Sequence, residues 1–382
     1  MDPIYLDCAA TTPMRAEVQE AMAPYLSGVF GNPSSIHSWG RAAAGALEDA
    51  RAEVAAALGA KHSEVYFVRG GTESDNIALQ GACHALSATG ALPALVVSAI
   101  EHSAVREASE HLAGAGRVRL AVLEVGADGS LDLDRAREEL RPGPALVSVM
   151  WVNNETGIVL PIGELAALVS AAGATMHTDA VQAIGKVSVD LRDVPVDMLS
   201  ASGHKLYGPK STGILFVRTG TRLSPLIHGG GQERSLRPGT QDVAGAVGMA
   251  TALRLAVEER EHEEARLRAL RDALEARLLA ALPRARVSGS GASRAPHICH
   301  VGIPDVAGDM LLMGLDMEGV AASGGSACAS GSNRGSHVVA ALYGPDDPHA
   351  HVRFSLGRMT RPEHLDRAVA AVLRVLDRMA AA

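Results

Sequence analysis

The sequence predicts an α/β protein: a large domain built on a mainly parallel sheet, and a second, smaller α/β domain. Three observations carry that expectation. Short apolar runs alternate with helical segments, polar residues follow the end of one run after another, and a long charged amphipathic stretch begins near residue 256. Val65-Tyr66-Phe67-Val68 reads as the first strand, ending at Gly70-Gly71 with Thr72 at a helix start. Leu95-Val96-Val97-Ser98 comes next and ends at Glu101-His102, and residues 145–151 form a run that ends at Asn153-Asn154-Glu155. Thr175-Met176-His177-Thr178 ends in Asp179, residues 197–199 end in the 200–205 stretch, and residues 213–217 close the set. Residues 131–140 and 162–172 carry helical patterns between them. Residues 256–282 read as one amphipathic helix with Leu267, Leu270, Leu274 and Leu278 on one face, a connector into the second domain. Pro283 and Ser288-Gly289-Ser290-Gly291 punctuate the chain beyond that helix, and residues 362–379 form a closing helix. No internal repeat is present.

Composition narrows the function classes. Hydrophobic residues make up 47% of the 382 and charged residues 20%, which excludes wholesale disorder. Lys plus Arg number 35 against 43 Asp plus Glu, a net charge of −8, so binding to nucleic acid through bulk positive charge is not expected. No apolar run approaches the ~18 residues of a membrane helix. Met1-Asp2-Pro3-Ile4-Tyr5-Leu6-Asp7 lacks the basic flank and apolar core of a secretory signal, so a cytoplasmic protein is expected. The cysteines, Cys8, Cys83, Cys299 and Cys328, are far apart with no C-x-x-C pair, and neither a metal site nor a disulfide framework is expected. Cys328 stands apart from the other three. Its surroundings, residues 322–333, are too rich in Gly and Ser to pack as a core strand, so a mobile loop is expected there.

Three strand-end motifs carry the chemistry. Gly70-Gly71-Thr72 offers backbone N–H groups and a hydroxyl at a helix start, a cradle for a phosphate, although alone it is also an ordinary capped turn. Asp179 ends one strand, and Ser202-Gly203-His204-Lys205 follows the next, with Lys205 26 positions after Asp179. Pyridoxal 5′-phosphate requires these three things together: a lysine for the Schiff base, an acid to keep its ring nitrogen protonated, and a cradle for its phosphate.

The chain also resembles class V aminotransferase-like enzymes of the pyridoxal-phosphate fold type I, specifically cysteine desulfurases of the iron–sulfur assembly and nitrogen-fixation type. The resemblance runs nearly end to end. It is carried by Tyr5-Leu6-Asp7-Cys8-Ala9-Ala10-Thr11-Thr12-Pro13, Gly31-Asn32-Pro33-Ser34-Ser35-Ile36-His37 and Gly71-Thr72-Glu73-Ser74-Asp75-Asn76. Glu101-His102-Ser103, Val152-Asn153-Asn154-Glu155-Thr156-Gly157, Gly229-Gly230-Gly231-Gln232-Glu233 and Arg237-Pro238-Gly239-Thr240 continue it, with Ser326-Ala327-Cys328 and Val352-Arg353-Phe354-Ser355-Leu356-Gly357-Arg358 near the end.

The resemblance implies conversion of L-cysteine to L-alanine, with the sulfur held as a persulfide on Cys328. It implies that Lys205 forms the Schiff base, Asp179 pairs with the ring nitrogen, Gln182 meets the ring hydroxyl and His102 stacks on the ring. Gly71, Thr72, Ser202 and His204 would hold the phosphate, with Thr240 reaching it from a neighbouring subunit. Asn154, also at the cofactor, and Arg353 would take the substrate carboxylate, for which a guanidinium fork is suited. It further implies a homodimer, an iron–sulfur scaffold or other sulfur-acceptor protein as partner, a large domain over residues 15–255, and a small domain from 1–14 with 256–382. Two positions depart from the family pattern: Cys8 stands where Asn is usual, and Arg69 where a small Ser is common. Cys8 is either a tolerated substitution or a second thiol near the site. A selenocysteine lyase or another lyase using the same cofactor remains an alternative, as does a non-catalytic sulfur-relay protein. The joint presence of Lys205, Asp179, His102 and Cys328 argues against the last.

Overall fold

A strand covered on both faces must be apolar at successive positions, and that rule selects the central strands of this chain. The computed structural model describes residues 2–88, 90–140, 143–324 and 335–381. In chain order the elements are β1 (Ile4–Tyr5), α1 (Ala16–Ser27), α2 (Ser38–Leu58), β2 (Val65–Val68), α3 (Gly71–Ser87), β3 (Ala94–Ser98), α4 (Ser103–Gly114) and β4 (Arg119–Leu123). Next come α5 (Leu133–Glu139), β5 (Ala145–Ser148), α6 (Ile162–Ala171), β6 (Thr175–Asp179), β7 (Met198–Ser202), β8 (Gly213–Val217) and α7 (Val243–Glu258). The remainder comprises α8 (Arg260–Ala281), β9 (Arg286–Val287), β10 (Ile298–Pro304), α9 (Gly308–Met317), β11 (Val320–Ala321), α10 (His337–Tyr343), β12 (His349–Ser355) and α11 (Pro362–Ala381).

The central sheet runs β2-β8-β7-β6-β5-β3-β4. Strands β7, β6, β5, β3 and β4 pair in parallel, while β8 is antiparallel to both of its neighbours. Alternate residues serve opposite faces. Leu95, Val97, Leu146, Leu215 and Val217 pack against α3 and α4, whereas Val96, Val147, Met176, Ile214 and Phe216 face the side covered by α2, α6 and α7. The sheet is therefore α/β and mainly parallel. A third apolar cluster forms on β10 and β12 under α8, α9 and α11, and it takes Ile4 and Leu6 from the start of the chain. Val338 and Leu342 of α10 are buried instead in the central cluster. Among the described residues, no helix is long and apolar enough to cross a membrane.

Several boundaries differ from the sequence pattern, among them the end of β7, which runs to Ser202 and not to Leu199. The helical stretch at 256–282 is two helices meeting at Glu259, whose carboxylate is gripped by Arg15 and Arg358. Periodicity cannot register such a break, because both helices keep polar faces across it. The strand at 145–151 ends at Ser148, although Val149 N–H and Trp151 N–H still donate to His177 O and Asp179 O of β6.

One buried ion pair controls a loop beside the sheet. Arg51 and Glu233 are 2% and 4% exposed, and form a two-pronged contact with both N···O distances at 2.8 Å. Glu233 also accepts from Phe67 N–H at 2.8 Å and from Gln241 Nε2 at 2.9 Å. Glu233, Arg234 and Ser235 hold φ of 45°, 54° and 64°, a run of left-handed conformations that is costly without glycine. Arg51→Met should therefore destabilise the protein by about 3–5 kcal/mol in urea unfolding, because it strands a buried carboxylate. Adding Glu233→Gln should recover part of that loss.

Candidate active site

The functional side chains gather where parallel strands end. A cavity of about 300 Å³ there is lined by Gly71, Thr72, His102, Asn154, Asp179, Gln182, Ser202, His204, Lys205 and Arg353. Gly71 and Thr72 open α3 after β2, and His102 caps α4 after β3. Asn154 follows β5, Asp179 ends β6, and Ser202, His204 and Lys205 lie at the end of β7 and in the turn beyond it. Arg353 arrives from β12. On that strand Val352 and Phe354 enter the third core, so alternation turns Arg353 to the opposite face. Two of the expected residues are not placed in the cavity. Thr240 is exposed on this chain, away from the lining, and Cys328 lies outside the described residues.

Local bonding sets the orientation of each group. Lys205 Nζ donates to the carbonyls of Ala9 and Ala10 at 2.6 and 2.5 Å. Asp179 accepts from Val181 N–H at 2.9 Å. His102 Nδ1 accepts from Ala104 N–H at 3.1 Å, which leaves Nε2 as the donor of the neutral ring. Gln182 Nε2 donates to Ala9 O at 2.9 Å, with its Oε1 3.2 Å from His297 Nε2. Arg353 is directed by Asp7 Oδ1 at 2.7 Å and by the carbonyl oxygen of Asn154 at 2.8 Å. Burial, followed by the Lys205 and Lys210 charges, holds His204 down to about 4, so it is neutral at pH 7.

This donor set fits pyridoxal 5′-phosphate. The first intrahelical bond of α3 runs from Ser74 N–H to Gly70 O, so the N–H groups of Gly71, Thr72 and Glu73 belong to the unpaired first turn. A Cβ on Gly71 would stand 2.9 Å from Val181 Cγ2, and Gly70 holds φ of 122°, so side chains are kept out of this turn. An acid, a lysine and an anion cradle thus share one cavity.

Several lining residues carried no assignment in the sequence pattern, among them Asp75, Glu155 and His337. Asp75 had a usable signal, since it follows Gly71 by four residues and so shares its helix face. His337 had none: it meets the Glu101 carbonyl at 2.9 Å only because α10 folds back over the sheet. Cys8 does not line the cavity. Burial foremost pushes its thiol up to about 11, which disfavours the thiolate that a reactive cysteine needs.

Residues 4–368 match the family described as aminotransferase class-V. The cysteine desulfurase IscS of Dictyoglomus turgidum is 42% identical over 377 residues, covering 98% of this chain and 95% of that protein. The cysteine desulfurase NifS of Azotobacter vinelandii is 44% identical over 374 residues, covering 97% and 92%. Among solved structures, one described as a NifS-like protein superposes with a TM-score of 0.91 at 32% identity, covering 98% of this chain and 99% of its own.

The acid beside His102 yields a stability prediction. Glu101 is buried and accepts from Ser98 Oγ and from Met150 N–H. Burial foremost lifts its carboxyl from 4.5 to about 8. Because the folded state holds this proton more tightly, its contribution is fully present below pH 4.5 and lost as pH rises through 8. Glu101→Gln should remove that slope. Urea midpoints at pH 5 and pH 8 should show the variant gaining on wild type at the higher pH, by on the order of 4 kcal/mol.

Proposed function

The chain belongs to the class V aminotransferase family, and from that membership we propose that it is a pyridoxal 5′-phosphate-dependent cysteine desulfurase. The observation that carries this reading is the gathering of Lys205, Asp179, His102 and Arg353 around one cavity at the strand ends. In the proposed reaction the Cβ–S bond of L-cysteine breaks and a bond forms between that sulfur and Cys328 Sγ. The products are L-alanine and Cys328 as a persulfide, so every atom of the substrate and the thiol is accounted for.

When bound, pyridoxal 5′-phosphate supplies the electron sink that weakens bonds at the substrate's α-carbon. Lys205 Nζ is the covalent anchor for it. Asp179 keeps a proton on the ring nitrogen, Gln182 meets the ring hydroxyl, and His102 covers the ring with its Nε2–H available as a proton donor. Gly71, Thr72, Ser202 and neutral His204 take the phosphate, while Asn154 and Arg353 take the substrate carboxylate. Both flanks of the segment bearing Cys328 are tied to the site, which supports its role. Ser323 exchanges backbone bonds with Arg353, at 3.2 and 2.7 Å, and Ser336 Oγ donates to Glu155 at 2.5 Å.

The division into a large domain at 15–255 and a small one at 1–14 with 256–382 belongs to the same proposal. So do a cytoplasmic homodimer and delivery of sulfur to an iron–sulfur scaffold or other acceptor protein. Leu26, Phe30, Ile36 and Trp39, between 58% and 91% exposed, support the dimer as apolar surface that a second subunit would cover.

Turnover of L-cysteine by the purified protein, with alanine and released sulfur both quantified, tests the proposal; no alanine from the cofactor-loaded protein would sink it. Lys205→Ala should lose the covalent cofactor and essentially all turnover, and Asp179→Asn should lose about 10²–10³ in rate. Cys328→Ser should still bind cofactor and substrate but leave no sulfur on the protein after one turnover. If Thr240 serves the partner's site, mixing inactive Lys205→Ala with inactive Thr240→Asp should restore roughly a quarter of wild-type activity through mixed dimers. Verified subunit exchange without recovery would remove Thr240 from that role.

A further inference from the structure

The polar groups buried behind the cavity support an inference that rests on the desulfurase reading. Asp75 follows Gly71 by one helical turn and points to the same side. An oxygen of Asp75, an oxygen of Asp179 and a ring nitrogen of His102 all lie within 4.8 Å of one another. Asp75 is 1% exposed. Its Oδ1 has no hydrogen-bond partner among the described residues, and His177 Nε2 stands 3.7 Å away. That imidazole brings no charge. Its two nitrogens meet the Ser148 and Ser200 hydroxyls at 2.8 and 2.9 Å, and burial holds it down to about 3.

We propose that Asp75 is the proton-bearing member of a buried carboxyl pair with Asp179, a positioning residue whose neutral carboxyl lets Asp179 carry the pair's single negative charge toward the cofactor's ring nitrogen. Two carboxylates this close in an interior do not both ionise. Their surroundings decide which one keeps the proton. Burial raises the Asp179 carboxyl too, but against burial Asp179 has the His102 ring, the Val181 N–H and the charge of Lys205. Asp75 faces His177 and Asp179 from β6, Ser200 from β7, and Glu101 and His102 from the β3–α4 junction. Burial, then Asp179, drive it well above the carboxylate range, with Glu101 adding to this and only the Ser200 hydroxyl opposing. A neutral Asp75 turns a dipole toward Asp179 and stabilises its charge. A less basic Asp179 leaves the proton on the ring nitrogen, where the electron sink needs it.

The full chain, with and without pyridoxal 5′-phosphate, tests this through Asp75→Asn and Asp75→Leu. Asparagine keeps the shape and a neutral donor, whereas leucine keeps the bulk and removes the polar group. In the cofactor-free chain at pH 7, the infrared difference between wild type and Asp75→Asn should show loss of a protonated-carboxyl carbonyl stretch. Loss of an ionised-carboxylate band instead overturns the proposal. In the loaded enzyme, Asp75→Asn should keep kcat, and the pH profile of the cofactor's visible absorption, within about twofold of wild type. Asp75→Leu should lower kcat about tenfold with KM little changed and move that profile by about one pH unit. Equal behaviour of the two variants overturns the proposal. If leucine prevents folding, the infrared result and the asparagine profile still decide. A chain that takes up no cofactor defeats the desulfurase assignment, and the infrared result then decides the protonation of Asp75 alone.

Discussion

The parallel pairing of β6 with β7, Asp179 opposite Ser200, is the constraint on which the site depends. The ladder holds the acid's backbone from both sides: Trp151 N–H donates to Asp179 O at 2.9 Å, and Ala180 N–H donates to Ser200 O at 3.0 Å. With both strands running the same way, Asp179 and the turn bearing His204 and Lys205 emerge at one rim. β5 and β3, paired in the same direction, deliver Asn154 and His102 to that rim as well. Residues far apart in the chain become neighbours through backbone hydrogen bonding alone, before any side chain recognises another.

Burial then sets the charge pattern. Desolvation disfavours whichever form is charged, so histidines are held neutral and acids are pushed to keep their protons unless something nearby opposes it. His177 sits between two hydroxyls and stays neutral, and burial raises Glu101 likewise against its two hydrogen bonds. At Asp179 burial still raises the carboxyl, but the His102 ring, the Val181 N–H and the charge of Lys205 oppose it. The electrostatics of the cavity thus follow less from the number of acids than from which of them meets opposing charge.

The second constraint is the N-terminal segment, which joins the third core to the cavity. Ile4 and Leu6 are buried in that core, while Ala9 N–H donates to Ser355 Oγ at 2.9 Å. Three residues later the same segment is bound to the cavity, with Thr12 N–H donating to His204 O at 3.0 Å. Between these anchors, the carbonyls of Ala9 and Ala10 accept from Lys205, and Asp7 directs Arg353. Cys8 is carried along within this segment and buried beside Tyr207 and Gly357, where a Cβ on Gly357 would stand 2.5 Å from its sulfur. Packing keeps its thiol buried, and burial raises it to about 11.

Local patterns in the sequence determined much of this protein. Apolar runs ending in Gly70-Gly71, Glu101-His102, Asp179 and the 200–205 stretch marked the central strands and the residues at their ends, because a strand covered on both faces has a short-range signature. The Leu267, Leu270, Leu274 and Leu278 face was equally legible, for a helix stripe repeats within a few residues. β4, β9, β10, β11 and β12 were not legible as strands; β9 and β11 have only two residues each, and β10 is interrupted by His300 and Gly302. Long-range partners define such strands more than composition does. Glu259 is gripped by Arg15 and Arg358, and Arg353 is directed by Asp7 and the Asn154 carbonyl, all of them 99 or more positions away. Only the tertiary structure decided the surroundings of Asp75, Glu101 and His177. A side chain's proton affinity depends on which charges and how much water surround it, and folding alone brings those groups together.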